Sequence, residues 1–156
     1  MPMNKCEQSG FSMIELLIAL LILAIGLFGM ATLMMSSMKS NQNAAVRSQA
    51  SWLAYDIIER MRLNANLAIN NNNYVTGAAD AVPANPGCKA AGCTAVNTAQ
   101  TDLFEWKTLL AQAGLGGAIA RAGNSYTVTI TWQDINTSDA NACNLGQCSF
   151  ILRADL

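Results

Sequence analysis

An uninterrupted apolar run near the N-terminus constrains the fold of this chain more than any other feature of its sequence. Residues Leu16–Met35 carry no charged side chain, and a helix of this length spans the ~30 Å hydrocarbon core of a bilayer. No proline occurs between Met3 and Val82, so nothing in the sequence stops the helix at the end of the run. We therefore expect one membrane span over 11–35, which continues as a helix over 36–66.

The start of the run contains a glutamate and a candidate processing site. A carboxylate within hydrocarbon costs about 2.5–3.5 kcal/mol on insertion scales, so Glu15 is the first candidate functional residue. A secretory signal peptide places a small-residue cleavage site after its apolar core, where this sequence has only weak candidates. The preceding segment, MPMNKCEQSG, is short and polar and ends in Gly10, so the better candidate for processing lies upstream of the run.

The continuation of the helix is amphipathic. One apolar stripe recurs at helical spacing and comprises Ala50, Leu53, Ala54, Ile57, Ile58 and Met61. Asp56 and Arg60 lie four residues apart on the other side, where they can form an ion pair. Such a stripe needs a partner, which we expect in residues 67–156.

The sequence after Asn64 predicts a small α+β domain. A segment rich in Asn, Ala, Gly and Pro indicates a long loop, and a short helix is expected to follow it, starting near Asp102. Asp102 and Glu105 have the spacing of a capping box, with Thr101 as an alternative cap. Leu103, Trp106, Leu110 and Ala113 form the apolar stripe of this helix, and Gly114, Gly116 and Gly117 end it.

The C-terminal part predicts an antiparallel sheet. In SYTVTITW the apolar side chains alternate with threonines, which is typical of a strand with one buried face. CSFILRADL indicates a return strand, and the residues between the two form a hairpin loop. We expect this sheet domain to pack on the amphipathic half of the long helix, with Trp52, Trp106 and Trp132 all in the core.

Cysteine spacing predicts disulfides and disfavours metal and redox chemistry. The five cysteines are Cys6, Cys88, Cys93, Cys143 and Cys148, and the last four form two C-x4-C pairs. Four cysteines allow three connectivities; bonds within each pair are the simplest choice, and the sequence leaves the choice open. Zinc sites favour C-x2-C spacing, and thioredoxin-type sites require C-x-x-C.

Composition argues against catalysis and nucleic-acid binding. The chain contains no histidine, which removes the commonest general base and metal ligand, and it has no phosphate-binding glycine motif. We therefore predict neither an enzyme nor a bound cofactor or metal. With a net charge of −1, the chain has no excess of positive charge that would attract nucleic acid.

The segment SGFSMIELLIAL, with its short polar leader and isolated glutamate, resembles the class III signal of type IV pilins and type II secretion pseudopilins. The resemblance implies a pilin-like fold and cleavage by a prepilin peptidase between Gly10 and Phe11, which removes residues 1–10. It also implies N-methylation of Phe11. Glu15 then becomes the fifth residue of the mature chain, where its carboxylate can meet the amine of Phe11 on a neighbouring subunit. A subunit docked in the wrong register would leave this carboxylate without its partner, which is unfavourable.

Further segments, VRSQASWLAYDIIERMRLN and GGAIARAG followed by YTVTITW, are similar to minor pilins of this family. Thr32 stands where major pilins often have a kinking proline, which disfavours a bulk filament subunit. The resemblance implies residence in the bacterial inner membrane with a periplasmic head, and then a place near the pilus tip. It implies contact with other minor pilins, the major pilin, the assembly platform and a tip adhesin, in support of pilus assembly, twitching motility and adhesion.

Three other functions fit parts of the sequence. A type II secretion pseudopilin has the same signal, a DNA-uptake pilin would bind DNA in a salt-dependent manner, and a periplasmic thiol enzyme would need free thiols among the last four cysteines.

Overall fold

The computed structural model describes residues 10–88, 92–133, 143 and 146–156. The predicted leader, apart from Gly10, lies outside these residues, as do Cys6 and most of the predicted hairpin loop. The described elements, in chain order, are α1 (Met13–Leu63), α2 (Ala65–Asn70), α3 (Ala95–Gln112), β1 (Gly116–Ala122), β2 (Ser125–Gln133) and β3 (Gln147–Asp155).

Helix α1 runs through both of the two compact units into which the chain divides, residues 1–41 and 42–156. Within the first unit, helix α1 is apolar and its side chains are exposed. This helix is long and apolar enough to cross a membrane, as the sequence predicted.

The second unit contains the hydrophobic core. The predicted stripe of α1 is confirmed, because each of its six residues is at most 1% exposed: Ala50, Leu53, Ala54, Ile57, Ile58 and Met61. Buried side chains from α3 and the sheet complete the core, among them Leu103, Trp106 and Leu110 of α3 and Tyr126, Val128 and Ile130 of β2. The period-2 pattern of β2 therefore places one face of the sheet on the core, as predicted.

Helix α1 ends earlier than the predicted boundary at residue 66. It stops at Leu63, and the short helix α2 follows, where the sequence suggested the beginning of a loop. The break lies at Asn64, whose side-chain amide donates to the carbonyl of Ala95 (2.8 Å) and to Oη of Tyr74 (3.2 Å). These tertiary bonds hold Asn64 in a conformation outside the helix.

Helix α3 begins one and a half to two turns before the predicted start, so the capping-box assignment of Asp102 and Glu105 is wrong. Thr94 is the N-cap, and its Oγ1 accepts a hydrogen bond from the amide of Asn97 (3.2 Å). Thr101 lies within the helix and donates to the carbonyl of Asn97 (2.9 Å), so it is not the cap either. The predicted end is confirmed, because Gly114 follows with φ +68°.

The sheet has the order β1-β2-β3 with both neighbouring pairs antiparallel. The predicted hairpin of β2 and β3 is confirmed, with Val128 opposite Leu152 and Ile130 opposite Phe150. Strand β1 is missing from the prediction, because Gly-Gly-Ala-Ile-Ala-Arg-Ala has low strand propensity. The second glycine of β1 allows close packing against α3, because a Cβ at Gly117 would overlap side-chain atoms of Leu110 and Trp106.

The three tryptophans differ in environment, and the prediction is wrong for Trp52. Trp106 is fully buried and its Nε1 donates to the carbonyl of Leu53 (2.9 Å), while Trp132 is half-buried against the core. Trp52 is 60% exposed, because the turn of the helix places it on the side of α1 opposite the centre of the buried stripe from Ala50 to Met61.

Candidate functional site

The predicted cleavage junction is exposed and lies before the helix. Phe11 is 84% exposed, and a Cβ added at Gly10 would have no atom within 4 Å. Helix α1 begins at Met13, and the carbonyl of Ser12 accepts from the amides of Glu15 (3.0 Å) and Leu16 (3.3 Å). Both residues of the junction are therefore exposed and lie outside the helix.

Glu15 lies in the first turn of α1, and its side chain is exposed. An acidic residue in a first turn interacts favourably with the helix dipole. Within the described part of the chain, no ion pair involves Glu15.

An exposed apolar surface surrounds Glu15. Eighteen large apolar side chains between Phe11 and Met38 are each at least 54% exposed. A soluble monomer rarely exposes a contiguous apolar surface of this extent. This segment therefore requires a cover of lipid or of other apolar helices.

In the second unit, α1 is joined to α3 by a cluster around Arg60. Its Nε donates to Asp56 (2.9 Å) and its Nη1 to Glu105 (2.7 Å), while Asp102 lies 3.5 Å from Nη1. Partial burial alone would lower the pKa of Arg60, but the three carboxylates raise it overall. The predicted Asp56–Arg60 pair is confirmed, and the two α3 carboxylates add the link between the helices.

Tyr74 connects the loop after α2 to the same cluster. Its side chain is fully buried, and its Oη donates to Oδ2 of Asp102 (2.7 Å). Burial and this hydrogen bond raise the pKa of Tyr74 above that of a free tyrosine. The neutral phenol therefore remains a hydrogen-bond donor throughout the physiological range.

Lys107 fixes the loop before the first disulfide. Its ammonium donates to the carbonyls of Gly77 (2.5 Å) and Asp80 (3.1 Å), although the residue is only 6% exposed. Burial lowers the pKa of Lys107, and the nearby carboxylate of Asp80 partly offsets this effect. Hydrogen bonds from the Gly77 amide and from Thr76 lower the pKa of Asp80.

Both cysteine pairs form local disulfides. Cys88 is bonded to Cys93, with Cα atoms 5.3 Å apart, and Cys143 to Cys148, with Cα atoms 4.6 Å apart. The structure thus selects the simplest of the three connectivities that the sequence allowed. A thiol enzyme that used these cysteines would lack free thiols, because all four sulfurs are in disulfides.

Sequence reasoning missed two features of this region, the Arg60 link and the buried Lys107. The signal for the first was present, since Asp102 and Glu105 lie three residues apart on one face of α3. Nothing in the sequence identifies Lys107 as buried, because its two acceptors are backbone carbonyls of a distant loop.

Two family models match this chain. The model of the prokaryotic N-terminal methylation motif matches residues 6–31, and the model described as Type IV pilin Tt1218 matches residues 32–104. Together the two matches cover more than half of the chain. No curated protein and no solved structure gives a significant match. A long N-terminal helix packed with a three-stranded antiparallel sheet is consistent with the pilin α+β fold.

Proposed function

We propose that this chain, which belongs to the type IV pilin family, is a minor pilin similar to PilV that supports pilus assembly, twitching motility and adhesion. The main support for a pilin role is the succession of the two family matches, which meet between residues 31 and 32 inside α1. Pilins are structural proteins rather than enzymes, and the methylation motif with its apolar helix fits anchoring in the inner membrane.

The first step of the proposed pathway is processing in the inner membrane. Prepilin peptidase cuts between Gly10 and Phe11 and methylates the new amine of Phe11. The exposure of both residues and their position before the first turn of α1 support this step. The mature chain then begins four residues before Glu15.

The second step is docking of the mature helix into a filament. The apolar surface between Phe11 and Met38 leaves lipid and packs against the helices of other pilins. Glu15 then pairs with the amine of Phe11 on a neighbouring subunit, because an unpaired carboxylate in that environment is strongly unfavourable. The lack of a partner for Glu15 within the described chain supports an intermolecular pair.

The periplasmic head then joins other minor pilins in a complex that initiates assembly and stays near the tip, in contact with the major pilin and a tip adhesin. Support for a minor rather than a major subunit comes from Thr32, whose Oγ1 donates to the carbonyl of Gly29 (2.8 Å) inside an uninterrupted helix. The type II secretion pseudopilin remains the second candidate. The pilin description of the match over residues 32–104 favours the pilus.

A deletion of the gene distinguishes the pilus from the secretion apparatus. We expect the deletion to reduce surface pili and twitching motility while export of type II secretion substrates stays at the wild-type level. Sheared surface filaments and secreted enzyme activity are measured in parallel. The complemented strain is the control. Normal piliation together with lost enzyme export contradicts the proposal and identifies a pseudopilin.

A further inference from the structure

A surface groove of about 270 Å³ lies where the end of α1, helix α2 and the first residue of α3 meet. Its lining combines amide side chains with two small apolar surfaces, and none of the lining residues is charged: Asn64, Asn66, Leu67, Asn70, Asn71 and Ala95. The groove lies in the second unit, outside the apolar segment between Phe11 and Met38, so the proposed docking of that segment into a filament does not account for it.

Asn64 is the anchored member of this groove. Its Nδ2 donates to the carbonyl of Ala95 (2.8 Å) and to Oη of Tyr74 (3.2 Å), and the residue is half-buried. Asn64 occupies the N-cap position of α2, where an asparagine ordinarily accepts a backbone amide, yet its side chain makes no such bond. Its Oδ1 is therefore a fixed acceptor without a donor among the described residues.

The other three asparagines supply both donors and acceptors. Nδ2 of Asn70 donates to the carbonyl (2.8 Å) and to Oδ1 (3.0 Å) of Asn66. This arrangement leaves the amide hydrogens of Asn66 and the Oδ1 of Asn70 for other partners. The side-chain amide of Asn71 makes no hydrogen bond within the described part of the chain, so it can both donate and accept.

This chemistry fits a ligand with several neutral hydroxyl groups. A hydroxyl both donates and accepts, so adjacent ring hydroxyls match adjacent amide donors and acceptors. A charged ligand would lose hydration without gaining a countercharge from the lining. The half-buried side chain of Leu67 and the methyl group of Ala95 provide apolar contact for the C–H face of a sugar ring.

We propose that the groove binds a neutral hexose or N-acetylhexosamine. The fixed Oδ1 of Asn64 orients the ring, the amides of Asn66, Asn70 and Asn71 bond to its hydroxyls, and Leu67 lies against its apolar face. Sugar binding is independent of assembly, because the groove is complete in one chain.

The test uses the full chain in lauryldimethylamine oxide micelles, since glucoside and maltoside detergents carry competing sugars. The probe is N-acetyl-D-glucosamine at millimolar concentrations, measured by saturation-transfer difference NMR. We expect saturable transfer to the sugar. We expect binding to be roughly ten-fold weaker in the double variant Asn66→Ala/Asn70→Ala, which loses one to two hydrogen bonds to the ligand.

Gln112→Ala is the matched control, because this exposed amide is at the opposite end of α3 from the groove and should bind the sugar normally. Asn71→Ala is the second variant. The Asn71 side chain makes no hydrogen bond among the described residues, so its removal should leave folding intact while it weakens binding of the sugar. Any of three results overturns the proposal: no saturable transfer to the sugar, transfer to glycerol equal to that to the sugar, or unchanged sugar binding in both groove variants. A chain that binds the sugar but is absent from filaments contradicts the assembly role alone.

Discussion

Glu15→Ala is expected to leave the amount of the chain in the inner membrane unchanged while depleting it from sheared filaments. Removing a carboxylate eases insertion into lipid, so membrane levels should not fall. In the filament, the amine of Phe11 would lose its proposed partner, and an uncompensated buried charge costs roughly 3–5 kcal/mol, equivalent to depletion of roughly a hundred-fold or more. Quantitative immunoblots of membrane and filament fractions measure both effects.

The matched control is Glu59→Ala on the same helix. Glu59 is a 60% exposed side chain whose carboxylate lies 2.5 Å from Arg62, and such surface pairs contribute about 0–1 kcal/mol. We expect this variant to enter filaments like the wild type. Normal incorporation of Glu15→Ala would refute the intermolecular pair, whereas equal losses in both variants would show a general sensitivity of α1 to the removal of carboxylates.

Trp106→Ala is expected to produce the largest loss of stability among substitutions in the head. The side chain is fully buried between α1 and the sheet, donates to the carbonyl of Leu53, and lies directly on Gly117. Truncating a buried tryptophan costs about 3–5 kcal/mol through lost apolar contact and the cavity that remains. Urea unfolding of the full chain in micelles, followed by circular dichroism, measures the free energy of unfolding.

Trp52→Ala provides the comparison within the same residue type. Trp52 is 60% exposed, so its removal should change the free energy of unfolding by no more than about 0.5 kcal/mol. A loss as large as that of Trp106→Ala would mean that Trp52 packs in the core after all. The pair of variants thus checks the orientation of α1 on the head.

The fold was predictable where one periodic pattern dominates a segment. The stripe from Ala50 to Met61 has a strict helical period, and the alternating side chains of β2 have a period of two, so each pattern identified its buried face. Strand β1 escaped prediction because its sequence has little strand propensity, and it forms through pairing with β2 and through the close approach of Trp106 to Gly117.

In the candidate site, the sequence identifies only the N-terminal part, whose roles stay predictions. Glu15 stands out because a charge at an apolar run is expensive, which is a property of the sequence itself. The roles of Asp102 and Glu105 depend on Arg60, more than forty residues earlier in the chain. A capping box and a tertiary ion pair use the same residue types. Local spacing alone therefore predicted a capping box, whereas the structure has an ion pair. The asparagine groove likewise depends on the fold, since Ala95 meets Asn64 only in three dimensions.

Mass spectrometry of the N-terminal peptide, from protein recovered in sheared surface filaments, tests the proposed prepilin processing most directly. We expect a chain that begins at Phe11 with a methylated amine and is found with the filaments at low abundance relative to the major pilin. A chain that retains MPMNKCEQSG in cells with an active prepilin peptidase would contradict the proposed pilin function, because the segment around Gly10 would then not act as a prepilin signal.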